Sequence, residues 1–173
     1  MTARILIVDH ERPVLELLSE VLGSRGFEVC GVGDGQKAVD AFRARPFDLV
    51  LADLIMPGMS GMEVIGRIRE MDGDAEVILL TAYATIENAY RALKNYKAFD
   101  LLTKPLENLD SLHNTIEKAL ERRRLQKENQ RLIRTLRRVN DEVEERVSAR
   151  TLELKKVNEV LRKELARHEK TEE

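Results

Sequence analysis

The chain has 173 residues, of which 43% are hydrophobic and 35% charged, and its formal net charge is −2. That length holds one ordinary domain and a smaller additional segment, and the slightly acidic balance argues against a general nucleic-acid binder. The single cysteine, Cys30, allows no internal disulfide; the apolar run from Ile5 is too short for a signal peptide, and no stretch reaches membrane-spanning length. We therefore expect a cytoplasmic protein that does not enter a membrane.

Short apolar runs alternate with segments of helical periodicity over about the first 108 residues. Strands are predicted over residues 4–8, 27–32, 47–53, 77–80 and 98–102, and helices begin near Pro13, Asp34, Gly61 and Thr85. Strands separated by helices imply right-handed crossovers and a parallel sheet that is covered on both faces. The predicted fold class is therefore α/β.

Polar side chains follow four of these strands, each at the strand's carboxyl end: Asp9, Asp53, Thr81 and Lys104. In an open parallel sheet these ends meet at one edge, where ligands bind. Clustered carboxylates favour a hard divalent cation such as Mg²⁺, and a lysine with a hydroxyl beside them can receive a phosphoryl group. Asp53 would be the nucleophile. The alternative, that these residues only cap loops or lie solvated at the surface, is weakened by their four matching positions.

Four motifs in order carry a family resemblance: residues 5–9, 53–61, 80–87 and 98–105. Together they resemble the receiver domain of bacterial two-component response regulators, over about residues 3 to 120. The resemblance implies a flavodoxin-like, five-stranded parallel sheet of order 2-1-3-4-5. It also implies a phosphoryl group taken from a histidine kinase or a phosphotransfer protein. Such a receiver is not an enzyme beyond promoting its own aspartyl phosphorylation and dephosphorylation.

The resemblance also implies a role for each site residue. It implies that Asp53 is the phosphoacceptor, that the Thr81 hydroxyl lies beside the phosphoryl group, and that Lys104 is the cation that pairs with that group. The implied Mg²⁺ site consists of Asp9, His10, Asp53 and the Ile55 carbonyl. A cis peptide bond is expected before Pro105.

His10 departs from the family pattern, which usually has a second acidic residue at this place, commonly a direct metal ligand. Mg²⁺ prefers oxygen, so an imidazole should weaken its binding. Glu11 is next in the sequence, but its side chain should leave the loop in another direction. Two outcomes stay open: weakened but real phosphorylation, or a receiver that has lost it. A third possibility is that His10 only packs or hydrogen-bonds at the rim of the pocket.

Leu101 is a second departure, because the family usually carries a Tyr or Phe there whose rotation reports phosphorylation. An aliphatic side chain cannot make that movement, so we expect altered coupling from Thr81. Ile55 and Tyr83 should flank the phosphoryl group. We expect them to exclude water and to make that group long-lived.

The chain from residue 121 onward lacks Gly and Pro and is about half charged. A helix is predicted from about Asp110 to His168, and it carries two apolar seams of alternating three- and four-residue steps. The seams are Leu125, Asn129, Leu132, Leu136, Val139 and Val143, then Val147, Thr151, Leu154, Asn158, Leu161 and Leu165. An extra four-residue step from Val143 to Val147 makes a stutter. Asn129 and Asn158 favour a parallel two-stranded register. The predicted domains are a receiver, 1–120, and a parallel homodimeric coiled coil, 121–173.

Alternatives remain for the function of the whole chain. The main interpretation is a phosphorylation-controlled receiver that signals through its coiled coil to an unknown downstream protein. The rival is a degenerate receiver that serves as a dimerisation and docking scaffold without phosphotransfer. A monomeric helix, a basic-region zipper and a small-molecule enzyme fit less well, since the seams, the missing base-reading face and the missing Gly-rich phosphate loop argue against them. We expect either that the chain is a fragment of a larger protein or that the coiled coil is its output.

Overall fold

The computed structural model describes residues 2–82, 85, 94–95, 97–106 and 108–169. Its strands are β1 (Arg4–Val8), β2 (Glu28–Val32), β3 (Leu49–Asp53), β4 (Glu76–Thr81) and β5 (Asp100–Thr103). Its helices are α1 (Arg12–Ser24), α2 (Gly35–Ala44), α3 (Gly61–Met71) and α4 (Leu109–Glu169). The helix predicted after Thr85, over residues 86–93, lies outside the described residues. Within the described ranges, no helix is both long and apolar enough to cross a lipid bilayer.

The five strands form one parallel sheet in the order β2-β1-β3-β4-β5, which confirms the predicted fold. The register aligns the carboxyl ends: Val8 pairs with Ala52, Asp53 with Leu80, and Thr81 with Thr103. Every residue of β3 and β4 is buried. The sheet therefore brings the residues at the carboxyl ends of β1, β3, β4 and β5 to one edge.

Alternate side chains of each central strand enter two separate hydrophobic layers, as the period of two in a strand requires. On one face of the sheet Leu6 and Val50 belong to a layer with Phe42 of α2 and Ile68 of α3. The opposite layer contains Ile5, Ile7, Leu49 and Leu51 with Leu18 and Leu22 of α1 and Leu112 and Ile116 of α4. Helices therefore cover both faces, and this explains why β1 and β3 read as continuous apolar runs.

The start of α3 lies directly against the end of β3. Ser60 and Glu63 form a capping box that fixes the first turn, and the Gly61 N–H donates to the carbonyl oxygen of Leu54 at 3.2 Å. A Cβ atom on Gly61 would lie 2.2 Å from the carbonyl oxygen of Asp53. Only glycine allows this approach, so α3 packs closely against the end of the strand that carries Asp53.

Strand β5 was predicted over residues 98–102 but begins at Asp100 and ends at Thr103. Ala98 is only 6% exposed and belongs to the core without being part of the strand. Burial and strand pairing therefore do not coincide here, and an apolar run reports only burial.

The Cα positions divide the chain into two units, Met1–Gln126 and Lys127–Glu173. Within the first unit, two arginines of α4 bind acidic residues near the amino ends of the central strands. The Arg122 guanidinium makes two bonds to Glu76, at 2.8 and 2.6 Å, and lies over the Phe99 ring. The Arg123 Nη2 atom donates to Asp72 Oδ2 at 2.7 Å, and its Nε lies 3.4 Å from Asp48 Oδ1.

Arg123→Met should lower the free energy of unfolding by about 2–3 kcal/mol, because a buried guanidinium group and its ion pairs with two partly buried carboxylates are lost. Arg123 is 4% exposed. The matched control is Arg124→Met on the same helix, where the exposed guanidinium pairs with Glu121 at 2.8 Å. That change should cost at most about 0.5 kcal/mol. Urea unfolding of both variants measures the difference, and equal losses would contradict a structural role for Arg123.

Candidate functional site

Three side chains from three strand ends meet at the carboxyl edge of the sheet. The Lys104 Nζ atom, which follows β5, lies 2.6 Å from Asp9 Oδ2 and 3.1 Å from Asp53 Oδ2. Asp9 is fully buried and Asp53 is 3% exposed. Two carboxylates removed from water therefore share one ammonium group.

Backbone N–H groups hold the other oxygen of each carboxylate. Glu11 N–H donates to Asp9 Oδ1 at 2.9 Å, and Ile55 N–H donates to Asp53 Oδ1 at 3.1 Å. Both are turns in which an aspartate bonds the backbone two residues further on. The two carboxylates are thereby oriented by the chain that immediately follows each strand, with the remaining oxygen of each directed at Lys104.

His10 contacts the same Asp53 oxygen as Lys104 does. Its Nδ1 atom lies 3.0 Å from Asp53 Oδ2 and 3.9 Å from Asp9 Oδ1, and the His10 side chain is 39% exposed. His10 is therefore a direct neighbour of Asp53, a contact that the alternative of hydrogen bonding at the rim of the pocket also allows.

The charge of Lys104 is stabilised by the site. Burial alone would lower the pKa of its ammonium group, but hydrogen bonds and charge from Asp9 and Asp53 outweigh burial and raise that pKa. Its contribution to stability is present below the unfolded pKa of about 10.4 and is lost only as the pH rises through the higher folded value. The cation is therefore in place throughout the neutral range.

Asp9, His10 and Asp53 also form a possible metal site. One ligand atom from each lies within 4.8 Å of the others, and among the described residues this is the group that meets that condition. Glu11 does not join it, because its carboxylate lies 3.2 Å from Lys104 instead. Two carboxylates suit a divalent cation, but the third donor is nitrogen, which is not what Mg²⁺ prefers.

The arrangement of buried carboxylates and a lysine at the edge of a 2-1-3-4-5 sheet agrees with a match to a known sequence family. The profile of the response regulator receiver domain matches residues 5–117. The chain belongs to this family. Receiver domains take phosphoryl groups from histidine kinases or phosphotransfer proteins and bind Mg²⁺ at an acidic pocket.

Other known proteins resemble this receiver. It is 38% identical over 138 residues to the regulatory protein AtoC of Escherichia coli, a match that covers 79% of the chain and 30% of AtoC. Sporulation initiation phosphotransferase F of Bacillus subtilis is 32% identical, with 69% of the chain and 95% of that protein covered. The solved structure of TrrA from Thermotoga maritima, in complex with Mg²⁺-BeF, has 40% identity and a TM-score of 0.60; 69% of this chain and 99% of that one are covered. The chain thus spans less than a third of AtoC.

The remaining predicted site residues lie at the same edge of the receiver. Thr81 is the last residue of β4 and is fully buried. Its carbonyl oxygen accepts a hydrogen bond from the backbone N–H of Lys104 at 2.7 Å. The Lys104–Pro105 peptide bond is cis, as predicted. The Ile55 side chain is 55% exposed. Tyr83 lies outside the described residues.

Leu101, the second departure from the family pattern, is partly buried in β5 of the receiver. Its side chain packs against the core layer on the α2 and α3 side of the sheet. It is therefore a packing residue in this structure.

One contact of the receiver site differs from the sequence prediction. The Glu11 side chain was expected to leave the loop in another direction, but its carboxylate lies 3.2 Å from Lys104 Nζ. Glu11 belongs to the loop after β1, and a loop has no periodicity from which a side-chain direction can be read.

Proposed function

We propose that this receiver accepts a phosphoryl group on Asp53 from a histidine kinase or a phosphotransfer protein. The observation that carries the proposal is the position of the Asp53 carboxylate, nearly buried at a strand end, with Lys104 at 3.1 Å and Asp9 on the same ammonium group. A carboxylate that is oriented and partly desolvated is a suitable nucleophile, and a fixed cation stabilises charge on transferred oxygens.

The transfer itself is a displacement at phosphorus. A carboxylate oxygen of Asp53 forms a bond to phosphorus while the bond between phosphorus and the donor's imidazole nitrogen breaks, and the donor leaves with the electron pair. Lys104 balances the charge of the phosphoryl oxygens, and the Ile55 N–H holds Asp53 Oδ1 in place. Thr81 is proposed to bind a phosphoryl oxygen through its hydroxyl.

Mg²⁺ is the cofactor that the family implies, and when bound it neutralises negative charge at the phosphoryl group. Asp9, His10, Asp53 and the Ile55 carbonyl are the residues proposed to hold the ion. The two carboxylates fit Mg²⁺, whereas the His10 nitrogen does not, so Mg²⁺ binding should be weaker than at a site built from oxygen alone.

For the remainder of the chain we propose a parallel homodimeric coiled coil over residues 121–173 that passes the signal to a downstream protein. Its support is the exposure of the seam in the single chain. Exposed seam side chains are Leu125, Leu132, Leu136, Val139, Val143, Val147, Leu154 and Leu161. An exposed apolar stripe of this length on a helix normally packs against a partner. Its heptad spacing is the spacing with which two identical helices pack in a coiled coil. In this proposal the receiver domain ends at residue 120, directly before the coiled coil.

A specific observation also supports the rival function, a scaffold without phosphotransfer. The His10 ring lies against the Asp53 oxygen that also binds Lys104, so His10 competes for the nucleophile. In that case the protein would dimerise and dock through its long helix whatever the state of Asp53.

An intact-mass spectrum after incubation with acetyl phosphate, with and without Mg²⁺, distinguishes the two functions. We expect one phosphoryl adduct that depends on the cation and that is lost completely in Asp53→Asn, since the amide is no nucleophile for this reaction. No adduct on the natural protein, with an adduct on His10→Asp, would establish the scaffold function instead.

A further inference from the structure

We infer that the Asp9, His10 and Asp53 site selects a divalent first-row transition metal ion over Mg²⁺. The inference concerns the metal of the site described above, and it rests on the proposed function for the role of that ion. Its binding, however, can be measured without any phosphoryl transfer. The argument depends on the spacing of the donor atoms, on the charge and burial around them, and on the chemistry of the nitrogen donor.

The donor atoms have the spacing of one coordination sphere. Metal–ligand distances of about 2.1 Å put neighbouring ligands of an octahedral ion about 3.0 Å apart and opposite ones about 4.2 Å apart. His10 Nδ1 lies 3.0 Å from Asp53 Oδ2 and 3.9 Å from Asp9 Oδ1, and the three ligand atoms all lie within 4.8 Å of one another. Small movements of the side chains suffice to place one ion among them.

Charge and access favour a divalent cation here. The carboxylates of Asp9 and Asp53 are buried, with Glu11 close by, and Lys104 supplies one positive charge against these three. A divalent ion would offset the remaining negative charge in a region of low dielectric. The His10 side chain is 39% exposed, so the ion can enter from solvent on that side.

The nitrogen donor decides which divalent ion is preferred. Mg²⁺ binds oxygen and gives up its water reluctantly, whereas imidazole suits the later first-row metals, whose affinity for nitrogen sites rises along the Irving–Williams series. One imidazole beside two carboxylates therefore strengthens the preference for these metals over Mg²⁺ relative to a site built from oxygen alone. Lys104 and the backbone hydrogen bonds to Asp9 and Asp53 would be the same with an oxygen donor in place of the imidazole. His10 therefore sets the preference between the metal ions.

Ion binding also changes the contact between His10 and Asp53. Nδ1 lies at hydrogen-bond distance from Asp53 Oδ2, and an ion held by both residues would replace this direct contact. The imidazole would then offer Nδ1 to the metal.

Titration of the full chain with Co²⁺ tests the inference, followed by visible absorption and calorimetry, with a parallel Mg²⁺ titration. We expect Co²⁺ to bind at least about 100-fold more tightly than Mg²⁺, with the His10 ring resonances strongly shifted by the paramagnetic ion. His10→Asp should reduce that preference at least about tenfold and tighten Mg²⁺ binding. His113→Gln is the matched control, because His113 is also a histidine beside a carboxylate and lies 3.7 Å from Glu117 on α4. This change should leave the preference unchanged.

Equal or tighter binding of Mg²⁺ by the natural protein would overturn the inference. Unshifted His10 resonances, or a preference that is undiminished in His10→Asp, would overturn it as well. These outcomes are distinct from failure of the proposed function. Co²⁺ binding through His10 without any phosphoryl adduct would retain the inference and remove phosphotransfer. An adduct with a Mg²⁺-selective site would do the reverse.

Discussion

Gly61→Ala is expected to destabilise the receiver by about 3 kcal/mol and to slow phosphorylation of Asp53. The added Cβ would lie 2.2 Å from the carbonyl oxygen of Asp53 and 3.0 Å from its carbonyl carbon, and both are backbone atoms. Neither can rotate away as a side chain could, so α3 or the end of β3 must shift. The shift would displace the residue on which the proposed chemistry depends.

Gly66→Ala on the same helix is the matched control. Among the residues that the structure describes, no heavy atom lies within 4 Å of a Cβ at this position, apart from the local helix itself. The change should stabilise the protein by up to about 1 kcal/mol, because alanine is the better helix former. Urea unfolding and adduct formation with acetyl phosphate should be measured on both variants. A Gly61→Ala protein as stable and as reactive as the natural one would contradict the close fit of α3 and β3.

Leu132→Lys should dissociate the proposed dimer. Leu132 is at a predicted core position of the coiled coil and is 55% exposed in the single chain. In a parallel dimer the change would bury two ammonium groups opposite one another, at a cost of about 3 kcal/mol, or roughly a hundredfold in the dissociation constant. The helix content should fall as well, because a long charged helix gains most of its stability from packing.

Gln130→Lys adds the same charge two residues away, on the predicted outer face of the helix, and should leave the dimer intact. Sedimentation and circular dichroism of the full chain at several concentrations compare the two variants. If both variants dissociate equally, the added positive charge causes the dissociation, and the loss of an apolar seam residue does not. A natural protein that stays monomeric at high concentration would contradict the dimer itself.

The sheet and the main residues of the site were predictable for a single physical reason. Strands buried on both faces appear as short apolar runs, and the first polar residue after each run marks its carboxyl end. This rule located Asp9, Asp53 and Thr81. It was less accurate for β5, where Ala98 is buried outside the strand. The family resemblance supplied the strand order, which runs of hydrophobic residues alone do not determine.

The arginine contacts at the opposite edge of the sheet could not be predicted in the same way. Arg122 and Arg123 lie in a charged helical segment, where most such residues are solvated, and Arg123 is nonetheless 4% exposed. Their partners Glu76 and Asp48 are separated from them by 46 and 75 positions. Helical periodicity describes one segment at a time, so it carries no information on pairs so distant in sequence.

These arginine contacts bear on where the chain can be cut for expression of the receiver by itself. A fragment that stops at residue 120, the predicted domain boundary, would keep Asp48, Asp72 and Glu76 but would lose both guanidinium groups that bind them. These carboxylates are buried or partly buried, and they would lose part of the positive charge that compensates them. A fragment that continues to Gln126 retains both arginines and is the better candidate for crystallisation or for grafting onto other helices.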